Sequence, residues 1–248
     1  MAAFRQAVEQ WEVDMLEMDV HASADGRIVV IHDPTLERTT DGTGRVAEKS
    51  WSELAELDAG YRFRDLEGRS THLGQGVRIP LFEEVLESFP RTRLNVEIKA
   101  SRTARALVEL VRRHGATHRV LVAAERERSR VDARGYPGPW GASRRQLLRF
   151  WALYRMPLSS LYTPGADIFQ VPVRFRGRPV VTPRFLDEAH RRNIPVHVWT
   201  VDDEPTARQL LGLGVDGIQT DRPDVLSPVF TEAAGRPVPP ALRRPSPA

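Results

Sequence analysis

The chain of 248 residues has no cysteine. That excludes disulfides, thiolate nucleophiles and cysteine-rich metal sites. It has little net charge: 36 basic residues face 33 acidic ones, leaving +3. The bases are mostly arginine, and no basic field of the kind that holds nucleic acid results. No apolar run reaches the length of a membrane span, and the first residues lack a basic-then-apolar leader. The expectation is a cytoplasmic protein without a transmembrane segment and without a nucleic-acid partner. The hydrophobic fraction of 41% and charged fraction of 28% are those of a globular chain long enough to bury a sizeable core.

Against this background, two short runs stand out. Leu16-Glu17-Met18-Asp19-Val20 is an apolar run with acids at alternate positions, and Ile28-Val29-Val30-Ile31-His32-Asp33 is a second run ending in an imidazole. In a strand, alternate side chains share a face, so Glu17 and Asp19 point one way and Leu16, Met18 and Val20 the other. Paired carboxylates on one face are costly without a cation between them. The linker, with its Asp25-Gly26 turn, is too short for a parallel crossover and suits a hairpin. The hairpin brings His32 toward the carboxylates.

Leu94-Asn95-Val96-Glu97-Ile98-Lys99 repeats the pattern, with Glu97 and Lys99 on one face. Read structurally, this is an ion pair at a strand end. Read functionally, Glu97 is a third ligand and Lys99 a cation for an anionic substrate. Three carboxylates make a hard-cation site for Mg2+ or Ca2+ rather than zinc.

Strand and helix patterns alternate along the chain, which predicts a parallel α/β architecture. Helices are expected at 2–13, 51–57, 80–88, 101–114, 144–155, 183–192 and 204–213, with Ser50 and Glu53 framing a cap. Strands are expected at 119–124, 167–172, 195–201 and 217–221. The stretch 60–78 reads as an excursion loop, 125–142 as irregular. Residues 231–248, rich in Pro and Arg, read as a disordered tail after a domain over 1–230. Asp202, Asp203 and Glu204 read as a helix start, Asp221 as a turn cap. His72, His114, His118, His190 and His197 read as packed or surface histidines. His21, on the carboxylate face, is the one to watch, with Gln170 behind it.

The ordered set of Ala3-Phe4-Arg5-Gln6-Ala7, Leu16–Val20, Ile31-His32-Asp33, Leu36-Glu37-Arg38-Thr39-Thr40, Val96-Glu97-Ile98-Lys99, Val196-His197-Val198-Trp199-Thr200 and Gly214–Pro223 resembles the glycerophosphodiester phosphodiesterase family. The resemblance implies a TIM-type (β/α) barrel that cleaves small glycerophosphodiesters to an alcohol and glycerol 3-phosphate. It implies Glu17, Asp19 and Glu97 as ligands of the divalent cation and His32 as one of two catalytic histidines. It further implies Lys99 at the phosphate and Trp199, by default a core residue, as a wall of the substrate pocket. The family's opening His-Arg-Gly strand has no counterpart in these residues. The expectation is therefore a barrel incomplete at its start with half of an acid-base pair. Either translation begins upstream or the protein is truncated and impaired. Alternatives are an inactive barrel that binds phosphodiesters or a cation, and a related phosphodiesterase acting on intact lipid.

Overall fold

The computed structural model describes residues 1–156, 158 and 161–243. They form two compact units, one of Met1–Ala2 and Glu17–Gly138, the other of Ala3–Leu16 and Pro139–Ala248.

In the first unit, β1 (Met15–Ala22), β2 (Ile28–Val30), β3 (Arg93–Ile98) and β4 (Val120–Ala123) form one sheet in the order β2-β1-β3-β4. The β1–β2 pair is the expected antiparallel hairpin, with Val20 opposite Val30, while β3 and β4 run parallel. The alternation of β1 and β3 is as the sequence predicts. Leu16, Met18 and Val20 are buried, as are Leu94, Val96 and Ile98, whereas Glu17 is exposed. Apolar burial on one face, at roughly 25 cal/mol per Å2, fixes which face the acids occupy. Helix α1 (Trp51–Ala55) starts at Ser50, whose hydroxyl accepts from the Glu53 amide while the Glu53 carboxylate accepts from the Ser50 amide. α2 (Phe82–Ser88) and α3 (Ser101–Arg113) follow the expected spans closely. The excursion loop is pinned by Asp58, which accepts from the amides of Gly60 at 2.7 Å and Gly74 at 2.8 Å. Gly60 passes so close to His72 that a Cβ would lie 2.2 Å from the His72 carbonyl oxygen, so only glycine fits.

In the second unit, β5 (Phe169–Pro172), β8 (Val196–Trp199) and β9 (Gly217–Ile218) form a parallel sheet in the order β5-β8-β9, with Gln170, His197 and Gly217 in one row. Its core gathers Phe150 of α4 (Arg144–Arg155), Phe169 of β5 and Phe185 of α5 (Pro183–His190), with Phe150 centred 4.8 Å from Phe169 and 5.4 Å from Phe185. α6 (Glu204–Leu213) begins at Asp203, whose carboxylate accepts from the Thr206 amide, and stops at Gly214, at φ 92°. This is the helix start read from the acidic triplet.

Three elements differ from the sequence expectation. The first helix is only a turn at Ala2–Arg5 followed by a π-turn at Gln6–Gln10, because Glu12 at φ 48° breaks it. A hairpin of β6 (Arg174–Phe175) and β7 (Arg178–Pro179) turns on Arg176 and Gly177, both at positive φ. α7 (Pro223–Ala234) runs through residues expected to start a disordered tail. Beyond it, Arg236 pairs with Asp14, and Arg243 Nη2 with Glu12 Oε1 at 3.1 Å. Residues 244–248 of the expected tail lie outside the described residues.

Candidate active site

The first unit brings five of the six predicted site residues together. β1 presents Glu17 and Asp19, and β3 presents Glu97. One oxygen from each carboxylate lies within 4.8 Å of one from each of the others. Lys99, just past β3, places Nζ 2.9 Å from Asp19 Oδ1 and 3.0 Å from Glu97 Oε2. Burial pulls the Lys99 pKa down, but the carboxylates of Asp19 and Glu97 outweigh it and leave it above its ordinary value.

Three carboxylates converge here with the Lys99 ammonium among them. Asp19 Oδ1 is buried and accepts no well-aligned hydrogen bond, although the Lys99 ammonium is within ion-pair reach. Buried charge of this kind is costly unless it is coordinated. A donor set made only of carboxylate oxygen fits a hard divalent cation.

The β1–β2 hairpin sets the imidazole. The Ile31 amide donates to the Asp19 carbonyl at 3.1 Å, and His32 follows with Nε2 4.0 Å from Asp19 Oδ2. Nδ1 of His32 lies 2.6 Å from Asp33 Oδ1. A carboxylate only accepts, so Nδ1 carries the proton and Nε2 is the nitrogen facing Asp19. Arg38 grips Asp33 through Nε and through Nη2 at 3.1 Å. With His32 on its other side, this holds the Asp33 carboxyl far below the usual carboxylate range. Asp33 and Arg38 stood in the motif but carried no role in the sequence reading. An acid directly after the histidine was the signal. His21 is buried, and its Nε2 sits 3.1 Å from the His32 carbonyl oxygen. It therefore supports the backbone of His32 rather than adding a ligand, and burial lowers its pKa.

Trp199 belongs to the second unit. It ends β8 and is 42% exposed, so it is not the core residue that its apolar strand suggests by default. His197, two residues earlier, is part-buried, and its pKa is lowered by that burial. Asp202 accepts from the Thr220 hydroxyl and the Asp221 amide, each at 2.8 Å, and so ties down the turn after β9. A further acid-imidazole group, Glu83, Glu87 and His114, has its ligand atoms within the same reach. Glu83 is already held by Arg27 at 3.0 Å and by His114 at 3.1 Å.

The model of the glycerophosphoryl diester phosphodiesterase family matches residues 1–134 and 143–225. The chain belongs to this family. Similar to it is the probable glycerophosphodiester phosphodiesterase 2 of Mycobacterium tuberculosis (strain ATCC 25618 / H37Rv). The two are 32% identical over 236 residues, which covers 93% of this chain and 84% of that protein. Among solved structures, a glycerophosphodiester phosphodiesterase from Agrobacterium tumefaciens str. C58 aligns with a TM-score of 0.67 and 26% identity, covering 88% of each chain. An Oleispira antarctica phosphodiesterase, solved in complex with the product sn-glycerol-3-phosphate, aligns with a TM-score of 0.70 and 23% identity. That match covers 91% of this chain and 87% of the other. The fold class is thus the α/β, TIM-type one of the glycerophosphoryl diester phosphodiesterases, and the enzyme class is phosphoric diester hydrolase. No helix among the described residues is long and apolar enough to cross a membrane.

Proposed function

We propose that this chain hydrolyses glycerophosphodiesters to an alcohol and glycerol 3-phosphate, at a Mg2+ or Ca2+ site held by Glu17, Asp19 and Glu97. The observation that carries the reading is the convergence of these carboxylates with Lys99 and His32 around Asp19. The product named for the Oleispira antarctica relative supports the same substrate class.

A divalent cation bound there supplies positive charge to the non-bridging oxygens of the phosphodiester. Lys99 meets the phosphate with its ammonium and keeps Asp19 and Glu97 turned inward. His32 moves one proton at Nε2, between the attacking hydroxyl or water and the leaving oxygen. Asp33 fixes the imidazole tautomer for that task, and Arg38 fixes Asp33. Assistance of such a proton transfer contributes on the order of a hundredfold or more.

The test is 31P NMR of glycerophosphocholine with Mg2+ or Ca2+. We expect conversion of the diester to a monoester signal. The conversion should stop with chelator, with Asp19→Asn and with His32→Ala. Conversion that proceeds equally in chelator, or in Asp19→Asn, contradicts the reading.

A further inference from the structure

From Ala133 to Ala166 the chain has no acidic residue, yet it carries Arg134, Arg144, Arg145, Arg149 and Arg155. In a chain with 33 acids elsewhere, this is a local basic field that the near-neutral total conceals. α4 lies within it. Its inner face is committed to the core through Phe150 and Tyr154, both buried. Its outer face is not simply polar. Leu148 is 52% and Trp151 42% exposed, one turn apart. Arg155 stacks over the Trp151 ring at 4.6 Å, so charge and indole sit at the same level. Arg144, Arg145 and Arg149 are also exposed, and just past the helix Met156, Leu158 and Leu161 are exposed as well.

A surface helix normally turns charge of both signs outward and its apolar residues inward. Here the outward face combines arginine of one sign with leucine and tryptophan. This is the composition of an element that lies in a lipid interface. The apolar side chains enter the acyl boundary, the indole sits at headgroup level, and the guanidinium groups meet anionic headgroups. We propose that the outer face of α4, continued by Met156, Leu158 and Leu161, docks onto an anionic phospholipid surface. The proposal does not rest on the phosphodiesterase reading, because binding is measured without turnover.

The test is co-sedimentation of the full chain with vesicles of phosphatidylcholine alone and of phosphatidylcholine mixed with phosphatidylglycerol. Binding is expected only to the mixed vesicles and should weaken as salt is raised. Each arginine near a charged leaflet changes partitioning roughly fivefold, so Arg145→Gln with Arg149→Gln should lower binding by about twentyfold or more. Trp151→Ala and Leu148→Ala should also lower it, with the melting temperature unchanged because both side chains are outside the core. The proposal is overturned if the full chain does not bind mixed vesicles, or if these variants bind as well as the parent. It is also overturned if light scattering shows a dimer that Trp151→Ala disperses, which would assign the face to a second copy of the chain.

Discussion

Asp19 has the Lys99 ammonium 2.9 Å from one oxygen and His32 Nε2 4.0 Å from the other. Replacing Lys99 with Ala removes the cation that offsets Asp19 and Glu97. Phosphodiester binding should weaken, while a divalent cation should bind more tightly. A melting temperature lowered in chelator should largely recover in Mg2+ or Ca2+. Calorimetric scans in both conditions check this, and an equal loss in both would mark Lys99 as a structural ion pair alone. The histidines add a pH dependence. Burial outweighs the opposing pull of Asp216 and holds His197 below its ordinary value of 6.5. Above 6.5 the full contribution to stability is present. As pH falls below it the unfolded chain takes up the proton first, and stability is lost. His21 acts in the same direction, burial again being the larger cause. The melting temperature should fall from about pH 7 to about pH 5, and His197→Gln should flatten that slope. A flat profile in the parent contradicts the burial argument. The convergent carboxylates were legible in the sequence because alternation leaves acids sharing one face of an otherwise apolar strand. Lys99 had a signal too, as one of only two lysines, with Lys49, in a chain whose bases are arginine. Asp33 had its signal in an acid directly after the histidine, but the part of Arg38 was not legible, because it depends on how a loop folds back over five residues.

At the scale of elements, the caps legible in the sequence mark real helix starts. Ser143 opens α4 with a capping box to Gln146, and the element spans the residues that the sequence predicts. Removing the cap in Ser143→Ala should cost about 1 kcal/mol in denaturant unfolding. No change would mean that tertiary packing alone sets the helix start. α7 hid its pattern behind Pro228, an interior proline that periodicity reads as a stop, although Pro223 at the start and Gly235 at φ 63° at the end were both signals. The β6–β7 hairpin escaped because its turn uses Arg176-Gly177 rather than Asn-Gly or Asp-Gly. Packing in the second sheet makes a sharper test. A Cβ on Gly217 would lie 2.6 Å from Cδ2 of His197. Gly217→Ala should therefore destabilise by about 1–3 kcal/mol. Combined with His197→Ala, much of that penalty should disappear, because the ring it clashes with is gone. Simple additivity of the two substitutions would show that the clash is relieved by backbone movement instead.

On the scale of the whole molecule, each unit has its own core. Glu17, Asp19, His32, Glu97 and Lys99 all belong to the first unit, and Trp199 to the second. Ligand that binds only the folded site stabilises the elements that build it. The α/β class was legible because strand and helix patterns alternate over most of the chain, whereas the division into two units depends on contacts between residues distant in sequence. The central claim is that the three strand carboxylates act together as one divalent-cation site. Its most direct test is isothermal titration of Mg2+ or Ca2+ into the full chain and into Glu97→Gln. The account predicts one cation per chain for the parent, and binding weakened at least about tenfold when a ligand oxygen loses its charge. No saturable binding to the parent, or equal binding to Glu97→Gln, would contradict it.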